Sequence, residues 1–145
     1  MIVGCIASDA ATGKVLLCRR AIEPRRGSWT VPGGFLEANE AADVGAARES
    51  LEEAGVTVQV KSLLAAYSVP RISQVHMWFR ASFDPLLSPP KFGPESLEVK
   101  LFAPSEIPFD NIAFPSVETA LRFWRDHVHD GSVDVQTVTR MPPPS

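Results

Sequence analysis

Trp29-Thr30-Val31-Pro32-Gly33-Gly34-Phe35 opens, and Ala47-Arg48-Glu49-Ser50-Leu51-Glu52-Glu53-Ala54-Gly55-Val56 closes, the stretch whose reading decides the fold. It reads as a short strand, a glycine turn, a helix from about Glu40 to Ala54, and a return into extended chain. At 100° per residue, Glu49, Glu52 and Glu53 fall within about a 100° arc of the helix, and Val44, Ala47, Leu51 and Ala54 cluster opposite them. The expectation is one face seated on a core and the other presenting acids. Three carboxylates this close raise one another's pKa and cost stability unless a cation compensates, which points to a hard, oxygen-seeking metal. Arg48 stands at i, i+4 to Glu52 and serves as an orienter of that carboxylate. Pro32-Gly33-Gly34 lets the backbone turn sharply beside the helix. Gly55 suits a left-handed C-terminal cap.

The spacing of Gly34, Glu40, Arg48, Glu49, Glu52, Glu53 and Gly55 is G-x5-E-x7-R-E-U-x-E-E-x-G-U, where U is a bulky aliphatic residue. Seven specified residues at fixed offsets coincide by chance on the order of once in 10^8 starts. The register resembles the signature of the Nudix hydrolases, enzymes that cut diphosphates. Ser50 departs from the pattern at a position that asks for an aliphatic residue. The plain alternative, a solvated acidic face with one salt bridge, leaves the glycines at both ends without a reason. The resemblance implies an α/β/α sandwich with a mixed sheet. It implies Mg²⁺, with Mn²⁺ as the alternative, held by Glu49, Glu52, Glu53 and the carbonyl of Gly33. Glu40 either serves the positive end of the helix dipole or touches the metal cluster through water. The general base is expected from the helix as Glu53 first, or from a later loop as Glu95 second; Glu98 is the other loop glutamate. Arg20 resembles a phosphate-contacting arginine.

Outward from this stretch, Ile2 to Ser8 and Lys14 to Arg19 read as a hairpin, Val56 to Ser68 and Val75 to Phe83 as strands, and Leu97 to Ala103 as another. Pro104 to Pro108 reads as a turn region. Ser116 to His129 repeats apolar residues at helical spacing, with Ser116 as the expected N-cap. Residues 1–131 form the expected Nudix domain and 132–145 a C-terminal tail, loose over Met141 to Ser145. Substrate contacts are expected from Arg20, Trp29, Phe35, Arg71 and Glu98. Tyr67, Phe109 and Phe114 are further aromatic candidates to stack on a base or flavin. Ser73, Gln74 and His76 form a polar stretch with Arg71 that can face the nucleotide, although a histidine such as His76 is more often structural than catalytic.

The chain has 145 residues, a net charge of −3 and two cysteines. That length suits one compact core. The charge and the lack of a basic stripe argue against nucleic acid, and no segment is long or apolar enough to span a membrane. Cys5 and Cys18 read as reduced core residues. The expected partner is a small nucleotide, and a homodimer is compatible. The expected compartment is the cytoplasm, or a plastid if a transit segment has been removed.

Outside the signature, Val3-Gly4-Cys5, Val15 to Arg20, Gly93 to Glu98, Leu101-Phe102-Ala103 and Glu106 to Asp110 resemble the plant chloroplast FAD pyrophosphatase branch and its bacterial relatives. Some relatives carry a zinc ribbon before the first strand; the chain starts at that strand and has no Cys-x-x-Cys pair, so a missing leading segment is one reading. The branch implies cleavage of FAD to AMP and FMN, or of ADP-ribose to AMP and ribose 5-phosphate, with FAD placed first. That order rests on Phe109, Phe114 and a proline-rich wall from Pro85 to Glu95. Other Nudix substrates (an oxidised dNTP, NADH, a dinucleoside polyphosphate) and a nucleotide sensor that does not cut remain alternatives. The complete set of glutamates argues against the sensor.

Overall fold

The structure is a computed structural model, and it describes residues 1–142. Asp9 closes the first hairpin: its carboxylate accepts from the Ala11 amide at 2.9 Å and the Thr12 hydroxyl at 2.8 Å. This side-chain turn, followed by Gly13 at φ 76°, joins β1 (Ile2–Asp9) to β2 (Val15–Arg20). Then come β3 (Trp29–Thr30), β4 (Gly33–Phe35), α1 (Ala42–Ala54), β5 (Gln59–Val69) and β6 (Gln74–Phe83). The chain continues through β7 (Ser96–Phe102), α2 (Pro115–Asp126) and β8 (Asp134–Thr137).

The sheet is mixed, in the order β3-β2-β1-β6-β5-β8, with β4 paired to β1 and β7 to β2. β1 runs parallel to β6 and β5 parallel to β8, and the other pairs are antiparallel. β1 and β2 pair at Ser8 and Val15 and then part. Farther along, β1 takes β4 as its neighbour at residues 2–4 while β2 takes β3 at Cys18 and Arg19. The glycine turn therefore fills the fork between two central strands.

Alternation along the strands gives the sheet two apolar faces. Val3, Cys5, Ala7, Leu16 and Cys18 pack with Ala46 and Ala54 of α1. Ile6, Val15 and Leu17 pack with Val117, Leu121 and Trp124 of α2. A mixed sheet between helices is thus the observed architecture, as expected. Among the described residues no helix is long and apolar enough to cross a membrane.

Four expectations need correction. Val44 and Leu51 are more than half exposed, and the buried face of α1 is Gly45, Ala46, Glu49, Ser50 and Ala54. Small side chains let the helix lie close to the sheet, and that seating buries Glu49 and half-buries Glu53, where hydrophobic patterning turned them outward, while Glu52 stays exposed. Ser50, fully buried, sits where the signature asks for a core residue and satisfies its hydroxyl on the Ala46 carbonyl at 3.2 Å. α1 begins at Ala42, leaving Glu40 in the preceding loop. Ser116 does not cap α2; Phe114 holds the cap position without a side-chain bond, and Pro115 occupies the first turn. Residues 132–145, read as a tail, supply β8, and Val138 is buried in the core; Pro143 to Ser145 lie outside the described residues.

Candidate active site

Gly34 shows why this site needs a residue without a side chain: a Cβ there would stand 2.6 Å from Oε1 of Glu49. The Glu49 carboxylate fills that space. Gly55, at φ 69°, ends α1 in the left-handed conformation and returns its N–H to the Leu51 carbonyl, as its position predicts. Glu53, one turn after Glu49, accepts from the Gly33 amide at 2.9 Å. The glycine turn and the acids of the helix thus meet.

Arg48 organises the acids. Its Nε and Nη2 donate to the two oxygens of Glu40 at 2.7 and 3.0 Å. Nη1 donates to Glu49 at 2.9 Å and to Glu52 at 3.1 Å, and Nη2 also reaches the Phe35 carbonyl at 3.1 Å. The expected pair with Glu52 is present, but the two-pronged contact is with Glu40, a partner eight residues back that helical spacing does not reveal. Arg48 holds Glu40 below the usual carboxylate range. Glu49 goes the other way, because burial outweighs its bond to Arg48. Burial pushes Glu53 up to about 8, opposed by the Gly33 amide and reinforced by Glu49 and Glu95. Cys18, buried in the sheet near Glu53, is pushed up to about 12.

These raised carboxyls test whether a divalent cation suits the site. Glu49 and Glu53 are half-desolvated acids in contact, with oxygen donors only, which is the donor chemistry of Mg²⁺ or Mn²⁺. Among the described residues no three acidic, histidine or cysteine side chains converge on one point. Glu49 and Glu53 meet, and Arg48 holds Glu52 beside them. The oxygen donors match a hard cation in kind, while the expected three-carboxylate cluster is not gathered on one point among the described residues. The Gly33 atom seen in contact with Glu53 is its amide.

A cavity of about 530 Å³ opens beside Glu53, a size that suits a small-molecule site. Its floor includes Ile2 of β1, Gly33 and Gly34 of β4, and His76 and Trp78 of β6. Phe114 and Val117 of the α2 start and Val138 after β8 wall it. Arg20, Phe35 and Arg71, all expected at the site, line it too. The Arg20 guanidinium lies over the Phe114 ring at 5.0 Å and its Nε donates to the Pro24 carbonyl at 2.8 Å.

A buried polar chain runs along one wall. The Trp78 indole donates to the Ser116 hydroxyl at 3.0 Å, Ser116 meets Nδ1 of His76 at 2.8 Å, and Nε2 of His76 meets the Gln74 carbonyl oxygen at 2.8 Å. Burial, with the N-terminal ammonium, pushes His76 down to about 4, so the ring is neutral. Ser116 and Trp78 were not anticipated here. The signal was available in the period-two row Gln74, His76, Trp78, which shares one face of a strand.

Other expected residues stand elsewhere. Trp29 is buried edge-to-face against Phe102, 4.9 Å between centroids, and does not line the cavity. Glu98 faces Arg19 at 3.6 Å, because β7 pairs in register with β2. Tyr67 is fully buried with its hydroxyl donating to Asp134 at 2.6 Å. Phe109 lies beneath Arg122 and Arg125. Glu95 is exposed and outside the cavity lining, yet near enough to add to the rise of Glu53 and to oppose the lowering of Arg20 that burial causes. The loop from Pro85 to Glu95 packs against the end of α1, with the Lys91 amide donating to the Ala54 carbonyl at 2.8 Å, and contributes no wall to the cavity.

The fold has known relatives. The model of the NUDIX domain matches residues 1–123. An ADP-ribose pyrophosphatase of Methanocaldococcus jannaschii is 44% identical over 67 residues, 46% of this chain and 38% of that protein. A MutT-like protein of Streptomyces ambofaciens is 35% identical over 95 residues, 66% of this chain and 58% of that protein. The matched parts thus span less than two thirds of either relative. The crystal structure of a NUDIX hydrolase from Nitrosomonas europaea superposes with a TM-score of 0.88 at 45% identity, covering 96% of this chain and 78% of that one.

Proposed function

The chain belongs to the Nudix family, and from that premise we propose that it hydrolyses the diphosphate of an ADP-linked nucleotide, with ADP-ribose first, giving AMP and ribose 5-phosphate. The observation that carries this reading is the cavity that joins Glu53 and Arg20 to a mostly apolar chamber of nucleoside size. The likeness to an ADP-ribose pyrophosphatase supports the order of substrates. FAD becomes the second substrate, because Phe109 and the loop Pro85 to Glu95 do not line the cavity.

Glu49, Glu52, Glu53 and the Gly33 carbonyl would hold a divalent cation. Such an ion, when bound, neutralises phosphoryl oxygens and acidifies water. The chain's own groups do the rest. Arg48 fixes the carboxylates through its fork of donors. Arg20, braced on Phe114, presents a guanidinium suited to a phosphate. Glu53, desolvated and held by the Gly33 amide, takes the proton of the attacking water as one P–O bond breaks and another forms. Glu95, close to both Arg20 and Glu53, is the second candidate for that proton.

The test is kcat/KM for ADP-ribose, FAD, NADH and 8-oxo-dGTP in Mg²⁺, with products separated by chromatography. ADP-ribose should lead and release AMP. An advantage of about tenfold or more for 8-oxo-dGTP overturns the ADP-linked reading. Activity that survives complete chelation overturns the metal requirement.

A further inference from the structure

The polar chain in the cavity wall has a direction. An indole N–H only donates, so the Ser116 oxygen accepts from Trp78. Among the described residues Nδ1 of His76 is the one acceptor for the buried Ser116 hydroxyl, so the hydroxyl donates there; the neutral ring then carries its proton at Nε2, which donates to the Gln74 carbonyl oxygen. A free amide can turn over and exchange its donor and acceptor ends; this one is held with its oxygen beside His76. Among the described residues its nitrogen has no hydrogen-bond partner. Gln74 lines the same cavity as Glu53. The register Gly33, Gly4, Trp78 across β4, β1 and β6 spans two strand spacings, and Gln74 stands four residues from Trp78 along β6, so the backbones at the two ends of the cavity lie about 16 Å apart. With the Gln74 and Glu53 side chains reaching inward from either end, an extended nucleoside diphosphate spans the remaining gap between the acids and a base.

We infer that Gln74 is the specificity-determining residue for the base, and that its locked amide selects adenine over an oxopurine. The inference rests on the ADP-linked reading of the site. An amide offers one acceptor beside one donor, and adenine offers the complement, its exocyclic N6–H next to a ring-nitrogen acceptor. Hypoxanthine has nearly the same shape with position 6 as acceptor and N1 as donor. Against a locked amide that inversion leaves polar groups facing like groups, unpaired in an apolar chamber. Trp78, Ser116 and His76 are positioning residues that act through Gln74.

The experiment compares kcat/KM for ADP-ribose with that for its hypoxanthine counterpart, IDP-ribose, together with calorimetric binding of AMP and IMP to the metal-free protein. The wild type should favour the adenine compounds by about tenfold or more in both measurements. Gln74→Met should bring both ratios close to one. Ser116→Ala keeps Gln74 but releases its orientation, so the adenine-to-hypoxanthine ratio should fall in both measurements, which a merely structural loss would not cause. Equal use of both purines by the wild type, or an undiminished preference in Gln74→Met, overturns the inference and leaves the hydrolase reading intact. Failure to hydrolyse any ADP-linked compound removes that reading, and the inference with it. Gln74 is only partly buried, so its variant remains informative if Ser116→Ala is destabilised.

Discussion

The two helices flank one sheet and obey opposite rules. α2 buries Val117, Ala120, Leu121 and Trp124, the residues its periodicity nominates. α1 leaves Val44 and Leu51 in solvent and buries Glu49 and Ser50. One helix is seated by transfer of apolar surface, the other by glycines, small side chains and an arginine that ties Glu37, Glu40, Glu49, Glu52 and the Phe35 carbonyl. Local disagreement between hydrophobic pattern and burial is the mark of a segment kept for chemistry.

The contrast can be broken at either helix. Glu53→Gln should lower turnover at least about a hundredfold without lowering the thermal midpoint, because the amide can still accept from Gly33. Near-normal turnover would remove Glu53 from the reaction and α1 from its special status. Leu121→Ala on the fully buried face of α2 should cost about 2–5 kcal/mol in urea unfolding, with kcat per folded molecule retained. A loss under about 1 kcal/mol would mean that α2 is not held by its core.

The α2 side should also sense acid. His76 has a folded value near 4 against an ordinary 6.5, so the unfolded chain binds a proton that the native chain refuses. Stability is complete above the ordinary value and falls as pH drops toward 4. Between pH 6.5 and about 5 the loss should reach roughly 2 kcal/mol. His76→Asn should remove that share of the slope, and an identical slope in the variant would mean that His76 is not buried neutral. The smallest effect belongs to α1: Leu51→Ala, at an exposed position, should shift stability by no more than about 0.5 kcal/mol. A cost like that of Leu121→Ala would erase the contrast.

The signature was readable because its residues sit within one helix and the turn beside it. Arg48 with Glu52, Gly55 as cap and the central strands all follow from spacing. The seating of α1 does not, because hydrophobic periodicity weighs Val44 and Leu51 and is blind to the space that Gly34 leaves for a carboxylate. β8 was missed for a related reason. Asp134 to Thr137 carries no apolar alternation, and only pairing with β5 and the Tyr67 bond to Asp134 make it a strand. Trp29, Tyr67 and Phe109 show the same limit: an aromatic residue suits a core or a ligand equally, and the tertiary neighbour decides.

The pairing of β1 with β6, Ile2 opposite His76, carries a kinetic consequence. Roughly seventy residues must be looped before the centre of the sheet can zip, and the entropy of that closure comes before any reward from the contact. α1 lies inside the loop. Until the seam forms, the helix has no floor to receive its small-residue face, and its carboxylates can remain hydrated and apart. The buried arrangement of the acids thus depends on that long-range closure, so unfolded chains carry the signature in sequence without the clustered, desolvated charge that the native site concentrates.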